Sequence, residues 1–510
     1  MGEEKLSTPP VPLQFRKNGA GLNSTASALS VEKEESPDLQ NIDFDKFGAF
    51  RKRQGSATLN SSAFNSGAAW TSLHWLELST DTDYLMGTCG DKLAKMDSLD
   101  GTWDDITGAL TITPGNNNHF QWITFLDTAL GTNGVDVPIQ WTGTGNGSAA
   151  AVPTNLTKAK WIESFTPNSY YFLGNVTVSG TAHPSRVYWS DLNALTFTDT
   201  NFNEVARNDG TAITGLKMLG EELIIFKEHS IFKALFTGDR DIPFVFVRTK
   251  SSVGCVGGYS IQEVSNGLIF MAEDGFYYFD GSNSFKMSDR ITATLGDMEE
   301  SRFPNAVSCY QHNKNRYWSS ETTSGGTTHN RNIMFDSYNN SWSLYRGLSA
   351  NCFARVRTSG EERIYFGDYS GFVYRADTTN TDNPLGVATA INAYFYSKWH
   401  DFEDIVHSKG TPHIYIYYQL SNATLTFSYA YDGESVSSYN QTFSTSGGAA
   451  LYGTATYDST DTYASTGSAI VRRDLTSRGR LVQFKYANAT SGETFQINGY
   501  GTLTRAETYV

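Results

Sequence analysis

Apolar residues in this chain gather in short runs that turn residues separate, a pattern typical of β-strands. The clearest example lies at 254–291, GCVGGYSIQEVSNGLIFMAEDGFYYFDGSNSFKMSDRI. Residues 264–270 and 276–279 predict two strands joined by a turn at 273–275, because Asp-Gly supplies the positive φ values of a tight hairpin. A second turn follows at Asp280-Gly281. The stretch therefore predicts one hairpin of a meander.

Looser copies of this hairpin recur every 40 to 50 residues, roughly, between positions 60 and 385, the spacing of propeller blades. Turn signals such as Asn133-Gly134 and Asp100-Gly101 separate the strands within each copy. A single four-stranded sheet cannot bury both of its faces, whereas sheets stacked around an axis can. We therefore predict an all-β protein in which residues 61–385 form a β-propeller of six or seven blades.

The stretch TTNTDNP at 378–384 is a polar boundary, and longer alternating runs follow it. Runs at 391–396, 412–420, 423–431, 481–486 and 495–500 alternate as half-buried strands do. Residues 386–510 are predicted to form a C-terminal antiparallel β-sandwich. The Ser/Thr/Tyr-rich section 431–466 predicts a long loop or a protruding hairpin.

Residues 1–60 are predicted to form an N-terminal extended arm and a first strand. Residues 1–38 are polar and proline-containing, and an arm of this kind is either disordered or ordered against a neighbouring subunit. The next stretch, LQNIDFDKFGAFRKRQG at 39–55, places apolar Ile42 and Phe44 before the triplet Arg51-Lys52-Arg53. These cations fit a nucleic-acid patch, salt bridges to an acidic neighbour or a solvated strand edge.

The composition supports the all-β prediction, since 14% of the 510 residues are aromatic, 46 are glycine and only 18% are charged. The net charge of −14 argues against binding nucleic acid by neutralising its phosphates. The four cysteines follow no metal-binding spacing and are expected to be buried free thiols in a reducing compartment. The sequence predicts neither a signal peptide nor a membrane-spanning segment.

No catalytic motif is distinct, so we predict that the chain is not an enzyme and has no catalytic residue, cofactor or metal site. The nine histidines lack H-x-H and H-E-x-x-H spacing, and no P-loop is present. The turn SLDGTW at 98–103 resembles a shortened motif of sialidase propellers, but Arg186, Arg240 and Arg316 cannot be assigned to a substrate-binding arginine cluster from spacing. A propeller glycan hydrolase is therefore the least favoured alternative. Exposed tyrosines on the C-terminal sandwich would suit a glycan-binding module; the candidates are Tyr415, Tyr417, Tyr418, Tyr431 and Tyr439.

Three stretches together resemble one family. Residues 39–55 are similar to the N-x-D-x-D-x-x-G-x-x-x-x-R-x-G pattern that opens many bacteriophage tail proteins. Residues 257–281, GGYSIQEVSNGLIFMAEDGFYYFDG, resemble a blade that those proteins share. Residues 477–504, SRGRLVQFKYANATSGETFQINGYGTLT, resemble their closing strands. The family is the tail nozzle proteins of short-tailed bacteriophages, also called stabilisation or tail tubular proteins.

The resemblance implies a structural virion protein in the short tail, made in the host cytoplasm and assembled as a homohexameric ring below the adaptor (the head-to-tail connector). Such a ring continues the DNA ejection channel, helps to retain the packaged genome and anchors tail fibres or a tail needle. An acidic lumen would let viral DNA pass. The expected adaptor interface consists of Ile42, Phe44, Phe47, Arg51, Lys52 and Arg53. The alternative is a receptor- or glycan-recognition tail protein with a propeller scaffold.

Overall fold

The computed structural model describes residues 11–15, 19–166, 169–358, 360–419, 421, 423–436, 439–445 and 467–506. Their dominant architecture is a series of small antiparallel sheets. Part of the Ser/Thr/Tyr-rich section predicted at 431–466 lies outside the described residues.

Seven four-stranded antiparallel sheets follow one another along the described chain, numbered here in chain order. Sheet 1 consists of Trp70–Glu77, Asp83–Cys89, Lys92–Asp97 and Asp104–Asp105, and sheet 2 of Gln121–Phe125, Thr128–Thr132, Ile139–Trp141 and Ser148–Ala149. Sheet 3 consists of Leu156–Phe165, Tyr170–Val178, Thr181–Trp189 and Phe202–Glu204, and sheet 4 of Ile213–Leu219, Glu222–Lys227, Ile231–Phe236 and Phe244–Arg248. Sheet 5 consists of Gly257–Val264, Gly267–Ala272, Gly275–Phe279 and Ser284–Lys286, and sheet 6 of Val307–Gln311, Arg316–Glu321, Arg331–Asp336 and Ser341–Tyr345. Sheet 7 consists of Cys352–Thr358, Glu361–Gly367, Val373–Ala376 and Ser56–Thr58.

The hairpin predicted around Asp274-Gly275 lies in sheet 5, where Ala272 pairs with Gly275 and Leu268 with Phe279. Gly275 has a φ of 137°, the left-handed half of backbone space that glycine enters at little cost. The residues that close the turn are therefore those that the sequence indicated.

The seven sheets are arranged in a ring. The first strand of each sheet contacts the first strand of the next sheet, and the first strand of sheet 7 contacts that of sheet 1. A cluster of buried hydrophobic side chains lies between each neighbouring pair of sheets. Burial of apolar surface between the sheets therefore holds the ring together.

The ring is closed by a strand from the N-terminal region. Ser56–Thr58 forms the fourth strand of sheet 7, where Thr58 pairs with Tyr374 and Ser56 with Ala376. The start of the chain is thereby fastened to the last sheet of the ring.

Two larger sheets are built mainly from the C-terminal region. One has five strands, Leu39–Gln40, Ala393–Tyr396, Thr424–Tyr431, Tyr439–Ser444 and Val482–Asn488. The other has eight, Val11–Phe15, Ile42–Phe44, Phe50–Lys52, Lys409–Gly410, His413–Gln419, Ser468–Asp474, Arg478–Gly479 and Gln496–Ala506. Side chains of both sheets share one hydrophobic cluster with sheets 5 and 6.

The N-terminal region differs from the extended arm that the sequence predicted. Within residues 1–38, Val11–Phe15 pairs with Gln496–Ala506 of the same chain. The strands that follow also pair within the chain: Leu39–Gln40 with Ala393–Tyr396, Phe50–Lys52 with Gln496–Ala506, and Ser56–Thr58 with sheet 7. The partners lie towards the other end of the chain, so local sequence gives no sign of them.

The remaining elements are short. Gly21–Leu22 pairs in parallel with Glu35–Ser36, and Thr381–Asp382 pairs with Thr389–Ala390. Within the described residues, the α-helix is Thr292–Gly296, and 3-10 turns occur at Asn65–Gly67, Arg207–Asp209, Asp289–Ile291, Glu300–Asn305, His312–Lys314 and Pro384–Gly386. Among the described residues, none of the helices has the length and apolar character needed to span a membrane.

Candidate functional site

The six residues predicted as an adaptor interface lie where residues 39–55 meet sheet 6 and the two C-terminal sheets, a region that we call the junction. The structure places four of them inside this chain: Ile42, Phe44, Lys52 and Arg53 are all less than 5% exposed. Phe47 is 72% exposed, and the side chain of Arg51 is 39% exposed. Contact of these residues with another protein stays a prediction, and the surface that they offer for it consists of Phe47 and Arg51.

Asn41 connects the elements that meet at the junction. Its backbone has a φ of 56°, a left-handed conformation that asparagine adopts more readily than most residues. Its backbone N–H donates to the Leu344 carbonyl at 2.8 Å, and its side-chain amide donates to the Asn392 carbonyl at 2.8 Å. Its side-chain oxygen accepts from Arg53 Nε, also at 2.8 Å. One asparagine thus joins sheet 6, the five-stranded sheet and the basic triplet.

Arg53 forms a buried bidentate ion pair with Asp382. Its Nη1 and Nη2 lie 2.9 and 2.5 Å from the two carboxylate oxygens, and the two side chains are 1% and 6% exposed. Two further donors reach the backbone carbonyls of Gln54 and Arg346 at 3.0 and 2.9 Å. The guanidinium is therefore fully used within this chain, in the fork geometry that suits a carboxylate.

Lys52, the last residue of the strand Phe50–Lys52, is buried as well. Its Nζ donates to Asn488 Oδ1 at 2.7 Å and to the Thr490 carbonyl at 3.2 Å. Burial lowers the pKa of Lys52 to about 8, and the nearby Glu493 opposes this shift. Lys52 therefore ties the N-terminal region to a loop of the C-terminal sheets.

A second buried ion network surrounds Asp43. Arg316 Nη2 lies 3.0 Å from its carboxylate, Arg51 Nη2 lies 3.9 Å away, and the Tyr345 hydroxyl donates to it. Burial alone would raise the pKa of Asp43, but the cations, Arg316 before Arg51, hold it below its ordinary value. Arg316 also lies 3.8 Å from Asp377, so the network extends from the N-terminal region through sheet 6 to the end of sheet 7.

The loop 45–49 presents Phe47 to solvent. Asp45 Oδ1 accepts from the backbone N–H groups of Phe47 and Ala49 at 2.8 and 2.9 Å, and Gly48 takes a φ of 86°. Lys46 Nζ lies 5.1 Å from the centre of the Phe47 ring. The loop is therefore held by its own hydrogen bonds, while its one large apolar side chain is left largely to solvent.

The spaced pattern at 39–55 is thus explained residue by residue. Asn41, Asp43, Asp45 and Arg53 make the contacts described above. Gly55 completes the pattern, because a Cβ at that position would lie 2.0 Å from the Thr381 carbonyl oxygen. The pattern specifies how the start of the chain packs against the rest of the chain.

The three stretches that carry the family resemblance meet in one hydrophobic cluster. Phe50, from the first stretch, stacks on Phe395 with ring centres 4.2 Å apart and lies 5.5 Å from Tyr486 of the third stretch. Ile269 and Phe276, from the second stretch, belong to the same cluster. Segments from both ends and the middle of the chain therefore form one continuous core.

A second feature is a cavity of about 790 Å³ at the centre of the ring. Six of the seven sheets contribute to its lining, mostly through their first strands; examples are Trp75, Trp122, Lys217, Glu263 and Arg355. No local motif in the sequence marks these residues, because each comes from a different sheet. Only the closure of the ring brings them together.

The other predicted candidates lie apart from one another. Residues 98–103 form the connection between the third and fourth strands of sheet 1, as expected for a turn between outer strands. Arg186 pairs with Glu204 at 2.7 Å in sheet 3, Arg240 follows the third strand of sheet 4, and Arg316 pairs with Asp43. The prediction of buried free thiols is confirmed for all four cysteines.

The predicted tyrosines divide by exposure. Tyr415 and Tyr417 are 42% and 43% exposed, whereas Tyr418 and Tyr431 are buried and Tyr439 is half-buried. Within the described residues, no group of three or more His, Cys, Asp or Glu side chains could hold a metal ion.

No family model matches the chain, and no curated protein matches it. Among solved structures, the chain is similar to a crystal structure of BBS1N in complex with ARL6DN, with 9% identity, a TM-score of 0.40, and coverage of 64% of this chain and 98% of that chain. It is also similar to the computationally designed Ika8 protein, with 12% identity, a TM-score of 0.35, and coverage of 63% and 100%. These TM-scores are too low to support a conclusion about this chain.

Proposed function

We propose that the chain is a structural protein of the tail nozzle of a short-tailed bacteriophage. In this proposal, copies of the chain form a hexameric ring below the adaptor, continue the DNA ejection channel, help to retain the genome and carry fibres or a needle. The observation that carries the proposal is the meeting of the three family-like stretches in one core. Matches scattered by chance along the chain would have no reason to pack together.

The finer fold in this proposal is a seven-bladed β-propeller with a C-terminal β-sandwich. The closed order of contacts between first strands and the hydrophobic clusters between all neighbouring sheets support the propeller. The N-terminal strand in sheet 7 would act as the closing strand that fastens the last blade. The five- and eight-stranded sheets, which share one core, would be the two layers of the sandwich.

A ring of copies needs apolar surface that one copy leaves uncovered. The fourth strand of sheet 4, Phe244–Arg248, pairs only with the third strand, within the described residues. Val245 and Val247 on it are 45% and 44% exposed, and the nearby Ile242 is 61% exposed. Unpaired apolar strand edges are natural sites for pairing with another chain. We assign this edge to contact between copies, and Phe47 to contact with the adaptor.

Electron microscopy of the purified chain, alone and mixed with the portal and adaptor proteins of its virion, tests the proposal. We expect a six-fold ring with a central hole in at least the mixed sample. Phe47→Ser should weaken joining to the adaptor without changing the stability of the chain, because the exposed side chain has little packing to lose. Single particles under both conditions would refute the nozzle function.

Receptor or glycan recognition is the second candidate function, and the C-terminal sheet gives it a specific observation. Tyr415 pairs across the strand with Gly501, and Tyr417 with Gly499. Glycine adds no side chain beside the two rings, and on the other side Tyr417 pairs with Ile470, which is 65% exposed. The two rings therefore belong to an exposed apolar surface of the kind that stacks against sugar rings. Binding of the full chain to host cells that is lost in Tyr415→Ala/Tyr417→Ala would favour this function.

A further inference from the structure

We propose that the cavity at the centre of the ring is a binding site for a neutral saccharide of about two or three sugar units. This site is separate from the exposed tyrosines of the C-terminal sheet, and it does not depend on the nozzle function. The size of the cavity, the aromatic rings in its wall and its balance of charges support such a ligand.

The cavity has the dimensions of a ligand site. Its volume of about 790 Å³ lies within the range of roughly 300 to 1,000 Å³ that is usual for small-molecule sites. Its walls are strands of a closed ring, so their positions are fixed by the packing between sheets. A rigid wall loses little conformational entropy when a ligand binds.

Two indole rings and the ring of Phe353 form the aromatic part of the wall. Trp75 is half-buried, and its Nε1 donates to Glu77 Oε1 at 3.1 Å. Trp122 donates to Ser72 Oγ at 2.8 Å and lies beside the His74 ring, with centres 6.2 Å apart. Indole faces carry partial negative charge and attract the C–H groups of a sugar ring. Because both N–H groups already have acceptors, the rings offer the cavity their apolar surface.

The charged groups of the cavity balance one another. On one side, Lys217 lies 3.3 Å from the buried Glu163, and burial raises the pKa of Glu163 while Lys217 opposes that shift. On the other side, Arg355 donates to His312 Nδ1 at 2.8 Å, and Glu362 accepts from the His312 backbone N–H at 2.6 Å. These pairs leave no large surplus of one sign that would select an ion.

Two further side chains remain available to a ligand. Glu263 and Arg357 line the cavity from sheets 5 and 7 and are exposed. Within the described part of the chain, neither side chain has a hydrogen bond or an ion pair. A carboxylate accepts and a guanidinium donates, so together they match the hydroxyl groups of a sugar, which do both. Aromatic surface with separated donors and acceptors favours a neutral polyhydroxylated ligand over a nucleotide or a metal.

Saturation-transfer NMR and calorimetry on the full chain test the proposal with cellotriose, maltotriose and the trimer of N-acetylglucosamine, and with trigalacturonic acid as an anionic comparison. We expect at least one neutral trimer to bind, and Trp75→Ala to weaken its affinity by about tenfold or more. Glu263→Gln, which changes an exposed group and leaves the fold intact, should weaken it by about three- to tenfold. The control Tyr338→Ala, at a tyrosine that is 64% exposed and does not line the cavity, should bind as the wild type does.

Three outcomes would overturn the proposal. The first is that no neutral trimer binds at about 5 mM, a concentration that detects even millimolar affinity. The second is stronger binding of trigalacturonic acid, which would show that charge governs the site. The third is binding that Tyr417→Ala abolishes and the cavity variants do not, which would place the sugar on the C-terminal sheet. None of these results depends on whether copies of the chain form a hexameric ring, so they test the saccharide site and not the nozzle function.

Discussion

Replacing Arg53 by alanine tests whether the basic triplet holds the junction together. The substitution removes a guanidinium whose side chain is 1% exposed, and leaves the 6%-exposed Asp382 without its cation. Removing one member of a buried ion pair costs about 3–5 kcal/mol, because the remaining charge is buried and uncompensated. The oxygens of Asn41, Gln54 and Arg346 also lose a donor. We therefore expect Arg53→Ala to lower the free energy of unfolding by about 3–5 kcal/mol.

Arg51→Ala is the matched control, two positions earlier in the same triplet. The Arg51 side chain is 39% exposed and lies 3.9 Å from Asp43, which keeps Arg316 at 3.0 Å. A partly exposed pair of this kind is worth about 0–1 kcal/mol. Urea unfolding at pH 7, followed by tryptophan fluorescence, measures both variants. Equal losses for Arg51→Ala and Arg53→Ala would refute the argument from burial.

The double variant Arg53→Met/Asp382→Leu separates the ion pair from the packing around it. Exchanging both charges for apolar side chains removes the unpaired charge, and such exchanges are often close to neutral. We expect the double variant to be more stable than Arg53→Ala. If it is less stable, the unpaired charge of Asp382 is not the main cost of Arg53→Ala.

Three further predictions follow from burial and exposure. Burial raises the pKa of Glu321 from 4.5 to about 8, so the folded chain keeps a proton that the unfolded chain loses, and stability should fall as pH rises between these values. In urea unfolding, the free energy of unfolding of Glu321→Gln, relative to wild type, should rise by about 3–5 kcal/mol between pH 4.5 and pH 8. The control Ser320→Ala should differ from wild type by the same amount at every pH, and a constant difference for Glu321→Gln would contradict the prediction. Val245→Glu/Val247→Glu should leave unfolding within about 0.5 kcal/mol of wild type and abolish rings in micrographs; intact rings would remove this edge from the interface. Gly55→Ala should cost about 2 kcal/mol or more, because the backbone must move to admit a Cβ, and a smaller loss by the same assay would show that the loop yields easily.

The sequence predicted the sheets well where their strands are neighbours along the chain. The hairpin around Gly275 and the repeat of four-stranded units depend on local turn chemistry and on alternation, both of which are visible in sequence. The same reasoning could not predict that Ser56–Thr58 completes sheet 7, because Tyr374, the partner of Thr58, comes from the opposite end of the ring-forming sequence. Strand pairing across such a distance leaves no local pattern.

The candidate site residues were likewise predictable only where local sequence decides their position. Exposure of Phe47 is consistent with an interface, but Lys52 and Arg53 are buried, although cations in a chain of net charge −14 are expected at the surface. Their burial depends on Asp382 and Asn488, which the sequence places far away. The cavity residues could not be predicted either, because Lys217, Glu263 and Arg357 become neighbours only when the ring closes.

The closing strand of the ring also sets the order in which the chain can fold during synthesis. Thr58 pairs with Tyr374, so the strand leaves the ribosome long before its partner does. At roughly 5–20 residues per second, the interval between positions 58 and 374 is about 15 to 60 s. The junction can form only later still, because Phe50 pairs with Ile497. Sheets 1 to 6, whose strands are all local, can form during this time, while the strands of the N-terminal region still lack their distant partners. Completion of the ring therefore requires Tyr374, and attachment of the N-terminal region to the C-terminal sheets requires Ile497, so both steps come after sheets 1 to 6 can have formed.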